Sequence, residues 1–270
     1  MTATLKRSLR LRYERDGIVF PIRVLTPDEV GAYRAACDDL ETRLGGKPRT
    51  VEVRQMHLHF AWAYRLATHP PILDAACAIL GPDLLIWATE LFAKHPHDGA
   101  VSVGWHRDRS YMGVEAEHAT TAWVALADSV PSNGCMRAVP GPGRKQTPSL
   151  EALRGSAPDD VPGLVDVILR AGEMSLHDAD IPHGSTPNCS AQKRVGFVIR
   201  YVTPAARPGH DRPPVILARG RYDGDHFRIQ DPPVEAAPEE AAPELTLARM
   251  KESAAAHLDA VLGNLRGGRN

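Results

Sequence analysis

The sequence predicts a mainly β protein, a barrel or sandwich with α-helices packed on its outside. Three observations carry that expectation: helical patterns stand ahead of residue 81, short β-rich runs fill 84–204, and Gly/Pro/Asn turn signals separate those runs. With 270 residues, 43% of them hydrophobic, the chain can bury one large core. It reads as a single domain over 1–270, with helical support at 1–83, a β core at 84–204 and an extension at 205–270.

The elements follow in order. Residues 18–24 (IVFPIRV) read as a short apolar strand. Thr26-Pro27-Asp28-Glu29 then supplies an N-cap, a proline at the first helical position and a capping-box acid. Val30, Tyr33, Cys37, Leu40 and Leu44 continue at helical spacing until Gly45-Gly46 stops the helix. Residues 70–80 (PPILDAACAIL) give a second helix that ends at Gly81. Strands are expected at 84–94, 119–127, 164–169, 173–177 and 194–203. His97-Asp98-Gly99, Ser132-Asn133-Gly134, Pro140-Gly141-Pro142-Gly143 and Pro182-His183-Gly184 mark turns between them. The Pro/Ala/Glu-rich segment 232–243 reads as a solvated linker, and a terminal helix is expected over roughly 245–264.

Composition removes several classes of function. The 32 basic and 33 acidic residues leave a net charge of −1, so neither nucleic acid nor an anionic membrane is expected as a partner. Cys37, Cys77, Cys135 and Cys189 lie far apart with no CxxC pair, which argues against a disulfide scaffold or a zinc finger and suits a reducing cytoplasm. The first residues, MTATLKRSLRLRYERDG, lack the apolar run of a signal peptide, and no apolar stretch is long enough to span a bilayer. Twelve histidines are the unusual count and direct attention to metal ligands.

An HxD pair arises about once by chance in a chain of this composition. Two occur here, and geometry separates them. His257-Leu258-Asp259 lies in a helical pattern, where residues i and i+2 point in different directions. His106 and Asp108, in Gly104-Trp105-His106-Arg107-Asp108, emerge from a β-rich region where i and i+2 share a face and can reach one metal. The third ligand is expected from His183, in Asp180-Ile181-Pro182-His183-Gly184-Ser185. Two imidazoles and a carboxylate form a facial triad that suits Fe(II), leaving positions for a bidentate cosubstrate and O2. Zinc fits the same donors and would imply hydrolysis instead. Arg194 begins the strand RVGFVIRYV, and its planar fork can take the far carboxylate of a keto acid that chelates iron at its other end.

With these residues in hand, the sequence resembles the phytanoyl-CoA dioxygenase family of Fe(II)/2-oxoglutarate oxygenases. The matching pieces are LFAK (91–94), WHRD (105–108), TAWVAL (121–126), NGCMRAVPG (133–141) and GEMSLHDADIPHGSTPN…KRVGFVIRYV (172–202). The resemblance implies a double-stranded β-helix (jelly-roll, cupin-like) core, with Fe(II), 2-oxoglutarate and O2 as reactants at its open end. It places His106, Asp108 and His183 at the iron ligands, Arg194 and Ser185 at the distal carboxylate of 2-oxoglutarate, and Trp123 beside the cosubstrate. Asp108 stands where related halogenases have Gly or Ala, so it implies hydroxylation or another oxidation. Arg107 stands where many relatives have Gln, and Arg109-Ser110-Tyr111-Met112 where Ser/Thr-Tyr-Trp is frequent.

These departures make Arg107, Tyr111 and Met112 candidate substrate residues, joined by His57 and Arg137. His57 and His59 are read as alternating towards one face, His95 and His97 as exposed in a turn, and His177 as packed behind the site. Lys94 could reach a substrate or cosubstrate carboxylate, but it is read as a strand-end lysine that snorkels to solvent. Arg107, Arg109, Arg137 and Arg200 together suggest a basic pocket. The expected function is hydroxylation of a small-molecule metabolite, such as a natural-product intermediate or an amino or phosphonate compound, with release of succinate and CO2. A zinc-dependent hydrolase and a non-catalytic jelly-roll binding module are the alternatives.

Overall fold

Period-two alternation in four long strands decides where everything else lies. A computed structural model describes residues 1–47, 53–98, 102–141, 147–155, 161–209, 212–234 and most of 247–259. Among the described residues eleven strands are formed: β1 (Ile18–Arg23), β2 (Leu84–Lys94), β3 (Val103–His106), β4 (Ala119–Ala125), β5 (Met136–Ala138), β6 (Val165–Val167), β7 (Glu173–Asp178), β8 (His183–Ser185), β9 (Arg194–Val202), β10 (Pro214–Arg219) and β11 (Arg228–Ile229). They build a seven-stranded sheet in the order β1-β7-β4-β9-β2-β10-β11 and a four-stranded sheet in the order β3-β8-β5-β6. All pairings are antiparallel except β10 with β11. The two sheets make the expected jelly roll.

In β9, Val195, Phe197, Ile199 and Tyr201 face one way, into the main hydrophobic cluster. Ala122 and Val124 of β4 and Met174 and Leu176 of β7 join them, so this face of the large sheet is continuous and apolar. The helices cover it: α1 (Ala3–Asp16), α2 (Pro27–Arg43), α3 (Ala61–Ala67) and α4 (Pro70–Leu80). They bury Leu9, Tyr13, Cys37, Leu40, Leu66, Ile72 and Leu73 in the same cluster. The capping box at Thr26 and Glu29 forms as the sequence predicts. Two short helices, α5 (Arg109–Met112) and α6 (Leu150–Gly155), lie among the strands of the small sheet. The opposite face of β9 presents Arg194, Gly196, Val198 and Arg200 to the space between the sheets, and β4 adds Trp123 there.

Several elements lie outside the expectation. Helix α1 forms from a segment whose only buried side chains are Leu9 and Tyr13, a stripe too narrow to stand out among its charges. The large sheet also recruits β1 and β10 from both flanks of the expected 84–204 core. At the C-terminus the chain is helical over 247–253, and Met250 is buried in the main cluster. Most of the expected linker (235–243), with Gly99, 142–143 and His257-Leu258, lies outside the described residues. Among the described residues no helix is long and apolar enough to cross a membrane, and all four cysteines are free.

Gly196 is the point where the inner face is tightest. A Cβ added there would lie 2.0 Å from the Trp123 ring. Gly196→Ala is therefore expected to displace the indole and to destabilise the fold by about 1–3 kcal/mol, the usual cost of overpacking. Thermal unfolding reads this directly, and an unchanged melting temperature would contradict the packing described.

Candidate active site

The small sheet brings two imidazoles together. His106 and His183 are direct cross-strand partners in the β3–β8 ladder, and their ring centroids lie 4.1 Å apart. His106 Nδ1 donates to the Gly104 carbonyl (2.8 Å) and His183 Nδ1 to the Ile181 carbonyl (3.0 Å). These bonds fix the tautomer in both rings and leave each Nε2 as a lone-pair donor. Asp108 completes the set differently from expectation. It does not lie on a strand face: its backbone is helical (φ −58, ψ −36) where β3 turns into α5. That turn carries its carboxylate back to the histidines, and the three ligand atoms all lie within 4.8 Å of one another. Two nitrogens and one oxygen at this spacing fit a facial metal site.

The large sheet holds the carboxylate. Thr121 pairs with His177 on one side and Arg200 on the other, so three neighbouring strands present one row of side chains. All three reach Asp108: Thr121 Oγ1 donates to Oδ2 (2.6 Å), Arg200 Nη2 donates to Oδ1 (3.1 Å), and His177 Nε2 lies 3.4 Å from Oδ2. Burial opposes the charge on Asp108, but the Arg200 guanidinium and His177 hold its carboxyl well below the usual range. Burial also pushes the pKa values of His106 and His183 down. The resting state is thus a carboxylate with two neutral imidazoles, the form that ligates a metal.

Further along the same inner face lies a second group. Lys94 and Arg194 are direct partners in the β2–β9 ladder, and both are buried. Lys94 Nζ donates to Ser185 Oγ (2.7 Å), to the Thr186 carbonyl and to the Gly134 carbonyl (3.4 Å). Arg194 donates to the same Gly134 carbonyl and stacks 5.2 Å from the Trp123 ring centroid. Gly134 is required there: its φ is 72°, and a Cβ would meet the Thr186 carbonyl oxygen at 2.3 Å. Neither cation has a carboxylate partner among the described residues. Burial lowers Arg194 to about 10, and burial with the neighbouring Arg194 lowers Lys94 to about 7. Two buried cations without a counter-ion make a site for an anion. A cavity of about 40 Å³ lies between Arg194 and Ser185 at one end and His106, Asp108 and His183 at the other, and Lys94 stands behind it, bonded to Ser185.

A larger cavity of about 310 Å³ opens on the other side of His106, with Tyr111 and Arg200 in its wall. Tyr111 packs edge-on against His106, with centroids 5.5 Å apart. The other expected substrate residues lie elsewhere. Arg107 lines neither cavity: its buried guanidinium donates to the Asp180 carbonyl, Thr147 Oγ1 and the Pro148 carbonyl. Met112 is fully buried in a separate apolar cluster. Arg137 sits on the outer face of β5 and pairs with Asp166 (2.9 Å), while its neighbours Met136 and Ala138 face inward. His57 lies in a 3-10 turn, not an extended run, and its Nδ1 meets Thr89 Oγ1 (3.1 Å). Arg109 approaches Asp180 (3.6 Å), and His95 is part-buried against Glu41 (3.6 Å) rather than exposed. Lys94 does not snorkel. Once Arg194 is placed, the β2–β9 register could have found it, because the alternation of ELFAK (90–94) puts Lys94, Phe92 and Glu90 on one face.

Thr121 gives a local test of the clamp on Asp108. Thr121→Val keeps the shape and removes the 2.6 Å bond, and loss of such a supporting bond weakens metal affinity about 10- to 100-fold. Co(II) titration measures it, and an affinity equal to the parent's would show that Thr121 does not position the ligand.

Comparison with known proteins agrees with this geometry. The family model described as phytanoyl-CoA dioxygenase (PhyH) matches residues 13–196. An ectoine dioxygenase of Nocardia farcinica (strain IFM 10152) is 25% identical, over 77% of this chain and 83% of its own. An L-proline trans-4-hydroxylase of Streptomyces griseoviridis is 26% identical, over 78% and 91%. Among solved structures, the non-haem monooxygenase ThoJ in its nickel complex superposes with a TM-score of 0.76 at 32% identity, covering 95% of this chain and 99% of its own. The epimerase SnoN, solved with Fe3+ and alpha-ketoglutarate, gives 0.65 at 26% identity over 87% and 97%. The chain belongs to the phytanoyl-CoA dioxygenase family of 2-oxoglutarate-dependent non-haem iron enzymes.

Proposed function

We propose that this protein hydroxylates a small-molecule metabolite, using Fe(II), 2-oxoglutarate and O2 and releasing succinate and CO2. The observation that carries the reading is the buried pair of cations Lys94 and Arg194, without a carboxylate partner among the described residues, with Arg194 and the Lys94-bonded Ser185 on the same cavity as the His106, Asp108 and His183 donor set. A zinc hydrolase needs the metal donors but has no use for two buried cations. A passive binding module needs neither the fixed tautomers nor the clamped carboxylate.

In this reading His106, Asp108 and His183 hold the iron, which when bound supplies O2-dependent oxidation coupled to breakdown of 2-oxoglutarate. Arg194, Lys94 and Ser185 take the distal carboxylate, so the cosubstrate is anchored at one end before the substrate enters. Phe92, Met136, Trp123 and Val198 line the cavity between the two groups and exclude water from it. Asp108 fills the ligand position that would otherwise admit a halide, which favours hydroxylation. The relatives named for ectoine and L-proline support a small substrate. The four free cysteines support a reducing, cytoplasmic setting.

Fe(II) with 2-oxoglutarate under anaerobic conditions is expected to give a weak visible charge-transfer band. Asp108→Ala should abolish it, and a parent protein without the band would count against the reading. Lys94→Met should weaken 2-oxoglutarate binding by about 2 kcal/mol or more, roughly 30-fold. The sign of the pH effect follows from Lys94. Its ammonium, with a pKa lowered to about 7, deprotonates as pH rises through that value, so affinity for the dianion should fall there. Calorimetric titration across this range reads the fall, and the Lys94→Met protein should lack it.

A further inference from the structure

The larger cavity beside His106 combines a surplus of positive charge with aromatic lining residues. Arg54, Arg154 and Arg200 line it, and Glu90 is its one acidic lining residue among those described. That single carboxylate serves two guanidiniums: its Oε1 meets Arg54 Nε at 3.1 Å and its Oε2 meets Arg200 Nη1 at 2.9 Å. Arg200 also reaches Asp108, whose charge a divalent metal would share. Arg154 is exposed at the rim and donates to the Trp105 carbonyl (3.4 Å), with no carboxylate partner among the described residues. Trp87, Trp105 and Tyr111 line the same cavity.

We infer that the substrate is a small carboxylate-bearing molecule with a flat, ring-sized apolar body. Its carboxylate is taken at the rim by Arg154 with Arg54, and its body lies among Trp87, Trp105 and Tyr111, over the metal-ligand edge of His106. This rests on the oxygenase reading and deepens it by naming the substrate class of the same site. The charge balance supports the acid. Arg54 and Arg200 share Glu90, and Arg200 also holds Asp108, so a cationic substrate would find no carboxylate among the described residues there that is not already paired, whereas an anion offsets the charge left on Arg154. Aromatic lining residues favour a ring over a flexible chain, because a rigid body loses less freedom on docking. A cavity of about 310 Å³ also suits a single small molecule rather than a long acyl thioester. Arg154 and Arg54 are therefore specificity-determining residues. Neither belongs to the distal-carboxylate pair: Arg194 lines the other cavity, and Lys94 lies behind it against Ser185.

The test uses the full chain loaded with Co(II) and saturated with 2-oxoglutarate, so that the cosubstrate cavity is filled. Three fluorinated probes are compared by 19F relaxation: 4-fluorophenylacetate, 4-fluorophenylacetamide and 4-fluorophenethylamine. The acid should be relaxed by the metal and bind at least about tenfold more tightly than the amide, with the amine weakest. Arg154→Gln should erase most of the gap between acid and amide, with its 2-oxoglutarate affinity serving as the control for folding. Equal or tighter binding of the amide or amine, no relaxation of any probe, or an unchanged gap in Arg154→Gln would overturn the inference while leaving the oxygenase reading intact. Failure of the Co(II)-loaded parent to bind 2-oxoglutarate would instead overturn that reading and this inference with it.

Discussion

The buried carboxylate of Asp108 is the constraint on which the site depends. It leaves the small sheet at the end of β3 and is received by one row of the large sheet, His177, Thr121 and Arg200. An unpaired charge at this depth would be strongly unfavourable, so the two sheets must approach in the one register that satisfies it. The same approach sets His106 and His183 opposite each other, with their lone pairs turned towards the carboxylate. Metal binding then needs little rearrangement, because tautomer, charge and orientation are fixed by protein groups beforehand. A buried ionic network of this kind contributes little net stability compared with an apolar core, and its value lies in geometry.

Strand alternation distributes the rest. One face of β9 carries the apolar residues that seat the helices, and the other carries Arg194, Gly196, Val198 and Arg200. On β2 the inner face runs from Lys94 through Phe92 to Glu90, so one strand serves the anion site, the shared wall and the second cavity in turn. A single residue of slip in the β2–β9 register would turn all of these outward. Gly196 and Trp123 guard that register, because only glycine admits the indole under the Arg194 guanidinium.

Much of this was legible in the sequence, and the reasons differ by element. The main strands and helices α2 and α4 announce themselves by periodicity, capping and turn residues, all of which are local. The His106, Asp108 and His183 cluster was legible because an HxD pair is compact and because His183 stands in distinctive surroundings. What stayed hidden was contact across the fold. Lys94 reads as a strand-end lysine until Ser185 and Arg194 are placed beside it, and Thr121 reads as an ordinary strand threonine until Asp108 arrives. The structure reversed the expectation for Arg107, since a residue adjacent to a ligand need not share its side of the chain. Arg54 and Arg154 belong to segments far from any motif, and only the tertiary packing brings them to one cavity.

The account stands on one arrangement: a metal held by His106, Asp108 and His183, and a cosubstrate stretched from it to Lys94 and Arg194. Anomalous diffraction at the iron edge, from crystals grown anaerobically with Fe(II) and 2-oxoglutarate, tests it most directly. The predicted result is one iron peak within bonding distance of those three side chains, with the far carboxylate of 2-oxoglutarate against both cations. An iron peak elsewhere, or a cosubstrate whose distal end avoids Lys94 and Arg194, would contradict it.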